Sequence, residues 1–193
     1  MIDTVLLGIA KSVILAQFDK SYSIDREGLL EKYPFLDKDT ATFVTLKNKQ
    51  QLRGCIGSIE AHRKLLDDLI YNAKSAAFSD PRFNPLKSDE FPNLTLEVSV
   101  LSEPEILEYD DFDDLLDKLQ PNIDGLILEH GVYQGTFLPQ VWKQLPQAKD
   151  FLDHLSMKAG ADPSIYKKHP TIYRYKVETI EDDFDKISSI WGV

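Results

Sequence analysis

Thr42-Phe43-Val44-Thr45-Leu46, the polar Lys47-Asn48-Lys49 and a return run from Gln51 to Ile59 read as a β-hairpin. Val44 and Leu46 form one apolar row, and Leu52 and Ile56 form another. An odd-length loop of roughly three or five residues would put both rows on one face. Arg53 and Cys55 then share the opposite face with Phe43 and Thr45, and that mixed face suits the border of a cleft. Gly54 and Gly57 leave room for a second backbone or a ligand to approach. A second hairpin follows the same logic: Ile123 to Glu129, a His130-Gly131 turn, then Val132 to Leu138. Two hairpins without strict βαβ alternation indicate an α+β fold, a mainly antiparallel or mixed sheet flanked by helices, with a smaller second subdomain.

Helical periodicity supplies the flanking elements. Thr4 to Phe18 carries an apolar face, which reads as an amphipathic helix and not a signal peptide. Ser23 caps a short second helix that Pro34 ends. His62 to Phe78 has the buried stripe Leu65, Leu66, Leu69, Ile70, Ala73, Ala76 and Ala77. Asp80-Pro81-Arg82-Phe83 ends it in a turn. Leu94 to Leu101 alternates as a half-buried strand, and Asp110 to Leu119 reads as an acidic helix. Pro139 opens a helical turn, Lys149 to Lys158 is a helix capped by Gly160, and Thr171 to Thr179 is the last strand.

The chain has 193 residues, enough for one domain spanning 1–193, with two subdomains at most. Its net charge of −10 disfavours phosphate backbones and anionic membrane surfaces, so neither nucleic acid nor a membrane is expected as a partner. The acidic runs Glu103 to Asp117 and Glu178 to Asp185 read as solvated surface. One cysteine cannot form an internal disulfide, and no apolar run is long enough to span a bilayer; a reducing, cytoplasmic location is the expectation.

Cys55 is the candidate catalytic residue. Arg53 beside it would favour thiolate, making a nucleophile or redox thiol; a packed cysteine acting as a small hydrophobe is the competing reading. His62 and Glu97 are further acid–base candidates. Arg53, Arg82 and the backbone at Gly54 and Gly57 are candidate binding groups for a small anionic ligand. Thr136 and Gln140 join them, flanking a strand-to-helix junction with free N–H groups. Asp80 and Arg82 also read as plain turn chemistry, and Glu97 as the polar side of a half-buried strand. The histidines show no paired metal-ligand spacing, nucleotide loops are absent, and neither a metal nor a cofactor is expected.

Five segments in order carry a resemblance: Leu52-Arg53-Gly54-Cys55-Ile56-Gly57 (LRGCIG), Asp80-Pro81-Arg82-Phe83, Glu97-Val98-Ser99-Val100-Leu101, Gly135 to Trp142, and Lys158-Ala159-Gly160. Through them the chain resembles the AMMECR domain family, whose bacterial members are labelled AmmeMemoRadiSam system protein A. The likeness covers about Ala41 to Val177. It implies a two-subdomain α+β structure and a pathway shared with Memo-type and radical SAM proteins, without naming a reaction. The chain lacks the cysteine triad of a radical SAM cluster. Two functions stand: a small-molecule or protein-binding module, which is favoured, and an enzyme using Cys55 on a small anionic substrate held by Arg53.

Overall fold

The structure is a computed structural model and describes residues 2–190. Helices α1 (Val5–Leu15), α2 (Arg26–Lys32) and α3 (Leu65–Phe78) accompany strands β1 (Thr42–Asn48), β2 (Gln51–Gly57) and β3 (Leu94–Leu101). Then come β4 (Glu105–Ile106), α4 (Phe112–Lys118), β5 (Gly125–His130), β6 (Tyr133–Phe137), α5 (Ala148–Lys158), β7 (Thr171–Tyr175) and β8 (Val177–Asp183). The chain forms two compact units: one up to Leu101 together with the stretch from Glu178 onward, the other Ser102–Val177. Each has its own four-stranded antiparallel sheet, β2-β1-β3-β8 and β4-β7-β5-β6, so the α+β expectation holds.

In the first unit, Val44, Leu46, Leu96 and Val98 alternate onto one face of the sheet and are fully buried against helices α1 and α3. The hairpin meets the odd-loop expectation only in part: Ile56 opposes Val44 on the buried face, whereas Leu52 opposes Lys47 on the other face and is exposed. Its turn has two residues, Lys49 and Gln50, both in left-handed backbone at φ 50° and 66°. A two-residue turn of this hand matches the strand twist. The frame is then corrected by a bulge: Lys47 opposes Leu52 while Leu46 opposes Gly54, which leaves Arg53 as the extra residue. Helix α3 begins at Leu65, later than His62. The run read as solvated charge is strand β8, the outer edge of this sheet; its alternation is hidden because most of its side chains are polar and exposed.

Helix α3 is locked to β1 by a buried carboxylate. Asp68, 1% exposed, accepts from Thr42 N–H and Thr42 Oγ1 at 2.8 Å each, from Ser58 Oγ and Asn72 Nδ2 at 2.9 Å, and from Arg63 Nη1 at 3.2 Å. Its many donors compensate a charge that would be costly to bury alone. The helix also approaches β2 very closely. A Cβ on Gly54 would lie 2.1 Å from the Ala76 carbonyl oxygen.

The second unit is built on Trp142, 1% exposed, stacked on Phe151 at 3.9 Å. The indole N–H donates to the Asp124 carbonyl at 2.8 Å. Leu126, Leu128, Leu152, Leu155 and Ile172 complete this core. Among the described residues, no helix is long and apolar enough to cross a membrane.

Because the atom facing Gly54 is helix backbone, a side chain there cannot be relieved by a rotamer change. Gly54→Ala is expected to lower unfolding free energy by about 3 kcal/mol. Urea denaturation would measure it, and an unchanged midpoint would contradict the packing described.

Candidate functional site

The LRGCIG segment lies on β2, an edge strand. Cys55 faces Thr45 of β1, which faces Glu97 of β3, so these residues make one cross-strand row. The Cys55 backbone groups point off the sheet edge, where an unpaired strand ordinarily offers itself to another chain. Here two side chains take them. Asp80 Oδ2 accepts the Cys55 N–H at 2.9 Å, and Arg82 Nη2 donates to the Cys55 carbonyl at 3.1 Å. The Asp-Pro-Arg-Phe turn thus stands in for a neighbouring strand. Asp80 also accepts from Arg82 N at 3.1 Å, Nε at 2.9 Å and Nη2 at 2.7 Å. The Arg82 guanidinium, with the backbone N–H groups of Cys55 and Arg82, holds this buried carboxyl well below the usual carboxylate range; burial itself opposes that shift.

Arg53, the bulged residue, does not serve the thiol. Its Nε and Nη2 donate to the two carboxylate oxygens of Glu90 at 2.7 and 2.9 Å, and Nη2 also reaches the Asn84 carbonyl at 2.9 Å. That pairing holds the Glu90 carboxyl below its ordinary range. The Phe83 ring lies 5.8 Å from the Arg53 guanidinium and 5.5 Å from that of Arg82. Arg53 Nη1 is buried and has no hydrogen-bond partner among the described residues.

Cys55 is half-buried, and its sulfur accepts from Thr45 Oγ1 at 3.2 Å. Glu97 pairs with Lys47 at 2.6 Å, not with Arg53; Lys47 also pairs with Glu181 at 2.7 Å. Ser99 of β3 and Thr179 of β8 share a hydroxyl bond of 2.9 Å. His62 sits in the loop before α3, is exposed, and pairs with Glu60 at 3.0 Å. The space beside both glycines is filled by the protein: Ala76 backbone at Gly54, and the Phe43 ring 2.3 Å from a Cβ built on Gly57. Thr136 and Gln140 belong to the second unit. Thr136 lies opposite Ile127 and its carbonyl accepts from Lys158 Nζ at 2.8 Å, while Gln140 is exposed on the short helical turn Pro139–Lys143. Among the described residues, no three His, Cys, Asp or Glu side chains are grouped to hold a metal ion.

The first unit therefore gathers Arg53, Cys55, Arg82 and Glu97 around one strand edge and its polar face. What sequence reasoning missed is Glu90, the partner of Arg53. Its only local signal is the reach of its side chain back to Lys87 N–H at 2.9 Å, the pattern of a helix-start box.

The Asp80 clamp carries a pH signature. Its folded pKa is depressed, so it contributes stability that is present above the unfolded value, about pH 4, and lost as pH falls through the folded value. Asp80→Asn is expected to cost about 3 kcal/mol near neutrality. The gap from wild type should narrow progressively below about pH 4. Urea titrations across pH would reveal a constant gap if the clamp were absent.

Comparison with known proteins places this geometry. A family model described as AMMECR1 matches residues 7–180. A protein from Methanothermobacter thermautotrophicus is 42% identical over 143 residues, covering 73% of this chain and 74% of the relative. Protein SSO0193 of Saccharolobus solfataricus is 40% identical over 177 residues, covering 86% and 74%. The crystal structure of uncharacterized protein PH0010 from Pyrococcus horikoshii superposes with a TM-score of 0.73 at 30% identity, covering 93% of this chain and 90% of that one. The sheet edge clamped by the Asp-Pro-Arg-Phe turn is thus part of a chain that belongs to the AMMECR1 family.

Proposed function

We propose that this protein is a non-catalytic binding module that presents the β2 edge of its first unit to a protein partner. One observation carries the reading: both guanidinium groups beside Cys55 are held by carboxylates, Arg53 by Glu90 and Arg82 by Asp80. An arginine held on two nitrogens by its own carboxylate has little left with which to grip a substrate anion. Among the described residues the thiol bonds the Thr45 hydroxyl and no base, so the set needed to activate a nucleophile is incomplete. Leu52, 47% exposed on the same edge strand, offers an apolar anchor beside the clamp. Family resemblance supports Memo-type and radical SAM proteins as the partners. The single cysteine supports a reducing, cytoplasmic setting.

A second reading is favoured by a different observation. Cys55 is half-buried instead of sealed, shares a row with Thr45 and Glu97, and lies two residues from an unpartnered guanidinium nitrogen. In that case Cys55 acts as a nucleophile or redox thiol on a small anionic substrate at Arg53.

Thiol labelling of the native protein separates the two. Slow labelling at pH 6, complete only on unfolding, is expected; fast labelling at pH 6 overturns the module in favour of the enzyme. Leu52→Asp is expected to weaken binding to a Memo-type or radical SAM partner by about tenfold, with Cys55→Ser nearly neutral. Calorimetric titration reads both effects, and the reverse order would refute the edge contact.

A further inference from the structure

A separate feature of the second unit goes beyond this reading and does not rest on it. A surface cleft of about 580 Å³ lies between the segment entering α4, one side of α5 and the helical turn Pro163–Lys168. Small-molecule sites typically span ~300–1,000 Å³. Phe112, Pro163 and Tyr166 supply apolar wall, with the two aromatic rings 5.2 Å apart and tilted by 43°.

Charges of both signs also line it. Lys149 is spent on Asp153, and Asp111 is spent capping α4. Asp110 and Lys167 are different: among the described residues neither side chain makes a hydrogen bond or ion pair, and the opposite charges they act on, Lys118 and Asp162, do so without contact. One anion and one cation, neither in direct contact with an opposite charge, therefore share a cleft with two aromatic side chains.

His169 adds an independent observation. Its backbone is left-handed, φ 53° and ψ 61°, although it is not glycine and precedes Pro170. Both facts disfavour that conformation. Three contacts hold it there: its N–H donates to the Tyr166 carbonyl at 3.2 Å, its ring stacks on Tyr109 at 4.2 Å and 8°, and Nε2 bonds the Tyr109 carbonyl at 2.9 Å. A carbonyl can only accept, so Nε2 carries a proton. Strained residues fixed in this way by their surroundings cluster at binding sites.

We propose that the cleft binds a small aromatic zwitterion of the aromatic amino-acid class. The ring lies against Phe112 and Tyr166, the ammonium group is taken by Asp110, the carboxylate by Lys167, and the His169 ring closes the wall between them. Neither a purely anionic nor a purely cationic aromatic molecule makes direct contact with both charges.

Nuclear magnetic resonance titration of the full chain tests this with three probes: L-tryptophan, tryptamine and indole-3-propionate. Amide shifts around residues 110–112 and 163–169 are expected with tryptophan, and the other two probes should bind about tenfold more weakly, as for one lost charge-assisted bond. Asp110→Asn should weaken tryptophan about tenfold yet leave indole-3-propionate unchanged. Lys167→Met should do the same while sparing tryptamine. His169→Asn, a residue that tolerates left-handed backbone, should weaken tryptophan. If that variant does not fold, the other two still decide. No tryptophan shifts at the cleft, equal affinity for all three probes, or variants without effect would each overturn the site.

Discussion

The two side-chain bonds on the Cys55 backbone govern the first unit. An edge strand with exposed N–H and C=O groups invites pairing with other chains. A full strand there would bury the edge and exclude any partner. A two-bond clamp from Asp80 and Arg82 satisfies the exposed groups at one residue and leaves the rest of the strand open. It acts only because α3 delivers Asp80 to the edge, and α3 is itself held on β1 by the buried carboxylate of Asp68. Edge, helix and turn are one connected arrangement of charge and backbone.

This arrangement changes what the conspicuous residues mean. An arginine, a cysteine and two glycines in a short span, with Arg82 brought beside them, look like a site built for an anion. In the folded chain each arginine meets a carboxylate, and the glycines make room for the Ala76 carbonyl and the Phe43 ring. The pattern is one of close packing and edge protection.

Much of the fold was legible in the chain because strand and helix periods are local properties. The alternation at Val44 and Leu46, the stripe from Leu65 to Ala77, and the two turn-linked hairpins state the element types directly. The bulge at Arg53 was not legible, since no glycine marks the Lys49–Gln50 turn and a bulge needs its partner strand to exist. Strand β8 was hidden for a related reason: a mostly polar edge strand shows little hydrophobic period.

The sequence by itself determined the α+β class, the two hairpins and the family, all of which rest on short-range spacing and ordered motifs. Only the tertiary structure decided which charge meets which. Glu90 lies 37 residues from Arg53 and Asp80 lies 25 from Cys55, separations over which spacing carries no pairing information. Helix packing against the sheet brings those groups within hydrogen-bond reach, and hydrogen bonds act only over that last few ångströms.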